Sequence, residues 1–364
     1  MAPVYWLLAR LHRFGVRITA ARGPGPALPM VVVGALRAGG SGKTSVTAAM
    51  AAALRERGCR PAILVYRLGR GPAPDPVLEV GEEDDWRESS EEAVLLRRAT
   101  GCRVFATRDR ASAWRRLQGE DIQSAGAFDV VISDDGFQDP RLEGAFHILL
   151  AAPQERPGLF DLLPAGPFRE TWSARLRADL LLRGPFPSLP TAPSPRPPEV
   201  TSMLPYGPAA APEAVEGVKR AYGPPEHRFE RSIALPAGVD PGLAWIAYCA
   251  LGDNLPFLLD LERAGLRPAA VVEGRDHGTP PLRLLRECAA RWRAAGIICT
   301  RKDYLKLGPE VAGPAFQGPG GLGPDSVFAV LAVEQSITLD PETVAAVDAY
   351  RLAFRNRYLV HYPA

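Results

Sequence analysis

The chain has 364 residues, of which 46% are hydrophobic and 23% are charged, a composition typical of a globular protein of one or two domains. Its 43 basic residues nearly balance its 41 acidic ones, so the net charge of +2 does not indicate nucleic-acid binding. The five cysteines form no CxxC pair, which argues against a disulfide framework or a zinc site and favours a reducing compartment.

The first 24 residues combine apolar side chains with interleaved arginines. This stretch is too short and too charged to span a bilayer, and it lacks the long apolar region of a signal peptide. The pattern predicts an amphipathic segment over residues 1–24 that lies at a membrane surface. A helix packed against the rest of the protein would show the same pattern, so the sequence leaves both interpretations open.

Apolar runs that alternate with helical patterns predict an α/β domain over residues 25–195. The predicted strands are PMVVVG, PAILVY, CRVFAT, FDVVIS, FHILLAA and ADLLLR. Such continuous apolar strands are typical of a parallel sheet covered on both faces. Prolines then become dense and predict a linker region over residues 196–235. The alternation resumes with LAWIAYCA, RPAAVVEG, GIICT and SVFAVLAV, which predict a second, smaller α/β domain over residues 236–364.

The stretch GALRAGGSGKTS lies between the first predicted strand and an Ala-rich helix. A glycine loop in this context is typical of a P-loop, which aims backbone N–H groups at phosphates. We expect Lys43 to reach the β- and γ-phosphates and Thr44 to bind Mg²⁺. The alternative is a tight glycine turn that binds nothing. The predicted nucleotide-binding residues are Gly39, Gly40, Ser41, Gly42, Lys43, Thr44 and Ser45.

Two carboxylates follow the predicted strand in FDVVISDDGFQ. Asp134 and Asp135 stand where a nucleotide site needs an acidic residue, at the end of a buried strand. Carboxylate oxygens suit Mg²⁺, so either residue could complete the metal shell begun by Thr44. We also assign Asp135 a catalytic role beside Lys43.

These motifs resemble the tetraacyldisaccharide 4'-kinases of lipid A biosynthesis. The resemblance extends through RDRASAW, LLPAGPFRE, LGDNLPFLLDLERAGL, RDHG and TRKDYLKL, and the family's loop also lacks a glycine where this chain has Arg37. It implies a P-loop kinase core and ATP-dependent phosphorylation of the 4'-hydroxyl of a tetraacylated glucosamine disaccharide 1-phosphate. It further implies a peripheral, monotopic enzyme on the cytoplasmic face of the bacterial inner membrane, whose partners are an acylated lipid and the membrane surface.

The resemblance also supplies candidates on the acceptor side. It places Glu91 on the family's presumed catalytic base, which is an aspartate there, and pairs it with His277. It assigns Glu92 to the metal shell, and Arg169 and Gln138 to the substrate. From the residues alone, Ser89 and Glu92 could instead form a capping box at a helix start, with Glu91 complementing the helix dipole. His277 could likewise be a hydrogen-bonded polar residue beside a turn.

Some family motifs are altered in this chain. VYRLG replaces the family's SRGYG, Asp139 replaces a histidine, and Arg301 replaces the glutamate of TEKD. These changes affect the acceptor side. Two rival functions also remain open. One is a P-loop switch ATPase, which has no need for LLPAGPFRE or a second domain. The other is a diverged homologue that acts on another glycolipid or without catalysis.

Overall fold

The structure is a computed structural model, and it describes residues 28–67, 77–123, 127–184, 223–251, 254–275, 278, 281–307 and 329–359. The predicted amphipathic segment 1–24, most of the predicted linker 196–235 and the candidate His277 lie outside the described residues.

Helices and strands alternate through the described chain. The elements up to residue 183 are β1 (Met30–Ala35), α1 (Lys43–Glu56), β2 (Pro61–Tyr66), β3 (Val77–Val80), α2 (Glu91–Thr100), β4 (Arg103–Thr107), α3 (Arg110–Gln123), β5 (Val130–Asp134), β6 (Phe146–Ala151) and β7 (Leu180–Arg183). The later elements are β8 (Glu226–Ala234), β9 (Trp245–Cys249), α4 (Leu255–Arg263), β10 (Ala270–Glu273), α5 (Leu282–Trp292), β11 (Gly296–Cys299), α6 (Arg301–Leu307), β12 (Ala329–Ala332), β13 (Glu334–Leu339) and α7 (Pro341–Leu359). Short 3₁₀ helices lie at Pro140–Leu142, Leu159–Asp161 and Trp172–Arg177.

A nine-stranded sheet has the order β13-β8-β7-β6-β1-β5-β2-β4-β3. Its strands pair in parallel except at the two edges, where β13 and β3 are antiparallel to their neighbours. Val33 of β1 lies in register with Asp134 of β5. Because β1 and β5 run in the same direction, the loops that follow them leave the same edge of the sheet, where α/β proteins bind ligands.

Helices cover both faces of this sheet. Val31 and Val33 of β1 face a core that contains Met50 of α1. Val32 faces the opposite core, which contains Trp114 of α3. Alternation along a strand buried on both sides explains why β1 reads as a continuous apolar run.

A separate four-stranded parallel sheet has the order β10-β9-β11-β12. Tyr248 of β9 faces a core with Leu285 of α5, and Trp245 faces a core with Phe257 of α4. The predicted α/β class, with a mostly parallel sheet in the first unit and a second, smaller α/β unit, is confirmed.

The boundaries of the two structural units differ from the predicted domain boundaries. β8 begins at Glu226, inside the predicted linker, and pairs with β7 of the large sheet. β13 and α7 fall in the predicted second domain, but β13 pairs with β8 and Val347 of α7 lies in the core of the large sheet. The smaller unit is therefore inserted between β8 and β13. Both strands bury few side chains, so neither gives the apolar run by which a strand is recognised.

In the part of the chain that the structure describes, no helix has the length and apolar character needed to cross a membrane.

The close approach of β1 to the loop after β5 gives a prediction on stability. A Cβ at Gly34 would lie 2.3 Å from the Cβ of Phe137, an atom fixed to the backbone. We expect Gly34→Ala to lower the free energy of unfolding by about 1–3 kcal/mol, measured by urea denaturation.

Gly119 of α3 provides the matched control, because a Cβ there meets no atom within 4 Å. Gly119→Ala should leave stability unchanged or raise it by up to about 1 kcal/mol through helix propensity. Equal losses in the two variants would contradict the steric explanation.

Candidate active site

The loop between β1 and α1 has the backbone conformation of a phosphate cradle. The φ angles of Gly39, Gly40 and Gly42 are 72°, 62° and 72°, a region that residues with a side chain rarely adopt. Gly42 is the N-cap of α1 and has no side chain to bond the first N–H groups of the helix. The loop and the positive end of α1 together form a site suited to an anion.

Arg37 belongs to the framework of this loop. It forms a β-bridge with Phe168, and its guanidinium lies 5.8 Å from the centre of the Phe168 ring. The N–H of Arg169 donates to the carbonyl of Leu36 at 2.7 Å. The LLPAGPFRE segment therefore lies along the start of the loop and brings the Arg169 side chain to the site.

Lys43 is nearly buried and is held in place by its neighbours. Its side chain is 10% exposed, and its Nζ donates to Ser41 Oγ at 2.9 Å. The same ammonium lies 3.7 Å from Asp135 Oδ1. Lys43 thus stands at the head of α1 with its charge directed toward the end of β5.

Asp134 is a buried carboxylate that accepts two hydroxyl hydrogen bonds from α1. Thr44 Oγ1 donates to Asp134 Oδ2 at 2.9 Å, and Thr47 Oγ1 donates to Oδ1 at 3.2 Å. Burial and the adjacent charge of Asp135 raise the pKa of Asp134 to about 6. Arg110 donates to the backbone carbonyl of Asp134 at 2.9 Å, which ties α3 to the same point.

Asp135 has the opposite electrostatic environment. Burial alone would raise its pKa, but the charges of Lys43 and Arg169 outweigh burial and hold the pKa of Asp135 below its usual value. Arg169 donates to both carboxylate oxygens, at 2.8 and 3.0 Å. It also donates to Gln138 Oε1 at 3.2 Å, while Gln138 Nε2 donates to the carbonyl of Ala35 at 3.0 Å.

The donor atoms at this point fit a hard divalent cation. Thr44 and Asp134 offer adjacent oxygen atoms of the kind that Mg²⁺ prefers. Among the described residues, no three His, Cys, Asp or Glu side chains are grouped to hold a metal by themselves. Mg²⁺ in proteins usually binds one or two carboxylates, several water molecules and the phosphate oxygens of a substrate. The few oxygen ligands that Thr44 and Asp134 offer therefore agree with an Mg²⁺ ion that binds together with a nucleotide.

A cleft of ≈ 1680 Å³ opens in front of the phosphate loop. The loop, Asp134 and Asp135 line it on the side of the large sheet, and Phe257 and Lys302 line it on the side of the smaller unit. Arg169 and Gln138 also line the cleft. The structure therefore brings the predicted phosphate, metal and substrate residues to one cavity between the two units.

Glu92 and Glu91 begin α2 at the wall of this cleft but differ in exposure. Glu92 lines the cleft, with its Oε1 3.3 Å from Lys302 Nζ. Glu91 is 4% exposed and is not among the residues that line the cleft. Its Oε2 lies 3.3 Å from Lys306 Nζ and 3.5 Å from Lys302 Nζ, both on α6. The pairing of Glu91 with His277 stays a prediction, since His277 lies outside the described residues.

The capping box suggested for the start of α2 is wrong. Ser90, not Ser89, is the N-cap, and its Oγ accepts from the N–H of Ala93 at 3.2 Å. Ser89 Oγ instead donates to the carbonyl of Asp85 at 3.2 Å. The acidic loop before α2 ends one residue later than the sequence suggested, which moves the cap by one position.

Comparison with known proteins assigns the family. A sequence profile described as Tetraacyldisaccharide-1-P 4'-kinase matches residues 1–349. The chain belongs to this kinase family. The resemblance predicted from the motifs is confirmed.

Relatives named Tetraacyldisaccharide 4'-kinase agree with this assignment. The relative from Acidovorax sp. is 29% identical over 325 residues, 85% of this chain and 81% of the relative. The relative from Herminiimonas arsenicoxydans is 30% identical and covers 73% of this chain and 71% of its own length. With the relative from Delftia acidovorans, at 37% identity, the match spans 50% of this chain and 51% of the relative.

A solved structure has the same fold. LpxK from Aquifex aeolicus, crystallised in complex with ATP, matches with a TM-score of 0.60 over 97% of each chain. The two sequences are 22% identical, so this likeness shows the fold.

Three functional candidates of this family member escaped the sequence analysis. Thr47 lies one turn after Thr44 on α1 and also bonds Asp134; the i, i+3 spacing could have indicated that the two hydroxyls share a helix face. Arg110 stood within the quoted RDR motif, but nothing in the sequence distinguished it from Arg108. Lys306 could not be found, because its contact with Glu91 joins positions more than 200 residues apart.

Asp134 leads to a prediction on pH. Its folded-state pKa of about 6 exceeds the value of about 3.9 for an unfolded aspartate, so the folded state binds this proton more tightly. Asp134 therefore contributes to the free energy of unfolding at low pH, and this contribution is lost as the pH rises through about 6. In metal-free protein, the free energy of unfolding of the wild type relative to Asp134→Asn should rise by up to about 3 kcal/mol between pH 7 and pH 4. Urea denaturation in chelator measures it; parallel pH profiles for both proteins would contradict the assignment.

Proposed function

We propose that this family member transfers the γ-phosphoryl group of ATP to the 4'-hydroxyl of a tetraacylated glucosamine disaccharide 1-phosphate in lipid A biosynthesis. The observation that carries the proposal is the P-loop with Lys43 and the Thr44–Asp134 pair at the floor of a cleft lined by both units. Phosphoryl transfer depends mainly on positioning and charge stabilisation, and this arrangement supplies both. The cleft also offers room for an acceptor beside the nucleotide.

On the nucleotide side, the glycine loop would bind the phosphates and Lys43 would contact the β- and γ-phosphate oxygens. The hydrogen bond to Ser41 restrains the Lys43 ammonium before the nucleotide arrives. A charge held in place in this way stabilises the transition state without the cost of reorganisation.

Thr44 and Asp134 would hold Mg²⁺ at the end of β5. When bound, Mg²⁺ would offset the negative charge that develops on the transferring phosphoryl group. Asp135 accepts two hydrogen bonds from Arg169 and forms an ion pair with Lys43. We therefore propose that Asp135 holds these two cationic side chains in position. Glu92, at the cleft wall, would contact the Mg²⁺ through a water molecule.

On the acceptor side, Glu91 would orient or deprotonate the sugar hydroxyl, together with His277. Arg169 and Gln138 line the cleft where an acceptor would lie and would contact the substrate. Because Glu91 does not line the cleft in this structure, α2 would have to shift locally against α6 when the substrate binds. Catalytic hydrogen bonds commonly tighten only in the complex with substrate.

The substrate class also bears on location. The acyl chains of such a lipid would stay in the bilayer, so the enzyme must work at a membrane surface. We propose a peripheral enzyme at the cytoplasmic face of the inner membrane, with residues 1–24 as its contact.

The phosphotransfer itself is tested with γ-labelled ATP and tetraacyldisaccharide 1-phosphate in detergent. Lys43→Met keeps the length of the side chain and removes its charge, so lipid labelling should fall at least about 10²-fold. Glu91→Gln should lower kcat by about 10²–10⁴-fold, as expected for loss of a general base, while ATP binding persists.

A wild-type protein that binds ATP but labels neither this lipid nor a related glycolipid would contradict the proposed function. Full activity of Glu91→Gln in an active wild-type background would contradict only the role given to Glu91.

The metal assignment is tested with Thr44→Val, which keeps the shape of the side chain and removes its hydroxyl. The Mg²⁺ concentration at half-maximal activity should rise about tenfold or more, as commonly follows loss of a group that supports a metal. Thr338→Val on exposed β13 is the matched control and should leave the Mg²⁺ dependence unchanged. An unchanged Mg²⁺ requirement in Thr44→Val would remove Thr44 from the metal shell.

A further inference from the structure

Four charged side chains meet between α2 and α6, and we call them the α2–α6 ion cluster: Glu91, Glu92, Lys302 and Lys306. Lys302 lies 3.5 Å from Glu91 and 3.3 Å from Glu92, and Lys306 lies 3.3 Å from Glu91. The Lys306 side chain is 0% exposed and that of Glu91 is 4% exposed. Two acidic and two basic groups therefore meet across the contact between the two units.

Helix α6 presents the lysines from a fixed position. Asp303 accepts from the N–H of Ala250 at 3.3 Å and from Thr300 Oγ1 at 2.8 Å, which ties the helix to the loop after β9. Leu307 lies in a core of the smaller unit, whereas Leu305 packs against the core of the large sheet. The helix thus touches both cores, and its lysines, one helical turn apart, face α2.

Burial of the α2–α6 ion cluster between two helices carries a large desolvation cost. Lys306 Nζ makes no hydrogen bond to any residue that the structure describes. Burying an ammonium group without a hydrogen bond is costly even beside a carboxylate, and apolar side chains of similar size usually stabilise a contact equally well. Stability alone therefore does not account for these residues.

The choice of lysine is also unusual for this chain. Lysine occurs at only four positions, 43, 219, 302 and 306, although the chain has 43 basic residues. One of the four is the P-loop lysine, and two belong to the α2–α6 ion cluster. Arginine is the usual cation here, so a compact ammonium at these two positions points to a requirement that a planar guanidinium does not meet.

We propose that Lys302 and Lys306 are positioning residues for phosphoryl transfer that act through Glu91. Their ammonium groups compensate the charge of the buried carboxylate and hold it beside the cleft, from where it reaches the acceptor once α2 has shifted. Lys302 lines the cleft and contacts both acidic residues. The acceptor would therefore approach Glu91 from the part of the cleft that Lys302 lines. This inference rests on the proposed function, in which Glu91 acts on the acceptor hydroxyl.

The test is a double-mutant cycle on kcat for labelling of tetraacyldisaccharide 1-phosphate. Lys306→Met should lower kcat by about 10–100-fold, the effect of a small misplacement of a reacting group, with KM for ATP unchanged. If Lys306 acts through Glu91, adding Lys306→Met to Glu91→Gln should lower kcat no further. A merely structural role would lower kcat by a similar factor in both backgrounds.

Arg283→Gln serves as the surface control, because Arg283 is 94% exposed on α5. Nucleotide binding by each variant reports on folding. If Lys306→Met does not fold, Lys302→Met carries the same cycle, because the Lys302 side chain is 20% exposed and tolerates the change better.

Unchanged kcat in the lysine variants, or equal losses with and without Glu91→Gln, would overturn the inference while leaving the proposed function intact. A wild-type protein that labels no lipid would overturn the proposed function and the inference with it.

Discussion

The parallel pairing of β1 with β5 is the constraint on which the site depends. It sets Val33 beside Asp134, so the glycine loop after β1 and the carboxylates at the end of β5 emerge at the same point. Burial of Asp134 there would be unfavourable by itself, and the hydroxyls of Thr44 and Thr47 offset part of that cost. The hydrogen bonds also fix α1 against β5, which aims the positive end of the helix at the phosphate position.

Two adjacent carboxylates acquire different properties because their partners differ. Asp134 is buried beside the charge of its neighbour, and these two effects outweigh Lys43 and the Thr44 hydroxyl and raise its pKa to about 6. Asp135 meets Lys43 and Arg169, and its pKa is held low. Separation of two pKa values by environment is the usual way in which paired acids receive separate roles. The contact of Asp134 with Thr44 suits a metal carboxylate, and the contacts of Asp135 with Lys43 and Arg169 suit a residue that holds the two cations.

In the large sheet, the sequence predicted the strands whose burial is continuous and missed those that are half exposed. β1 and β5 read as apolar runs because both of their faces are covered, whereas β8 and β13 lie at or next to an edge and bury few side chains. Likewise, the P-loop and Asp134 could be recognised because each lies within one short motif. The environment of Glu91 could not, since its lysine partners come from a helix of the smaller unit and only the folded chain brings them together.

The insertion of the smaller unit limits how the cleft can close. The chain enters this unit after β8 and leaves it between β12 and β13, where Val333 alone separates two strands of different sheets. Val333 is 3% exposed, so this connection is itself packed and cannot swing freely. A unit held at two points rotates most freely about the line that joins them. The contact between Glu91 and the α6 lysines joins the two units at a third place, so rotation of the smaller unit would change the geometry at Glu91. That coupling suits a carboxylate that must meet the acceptor only after both substrates are bound.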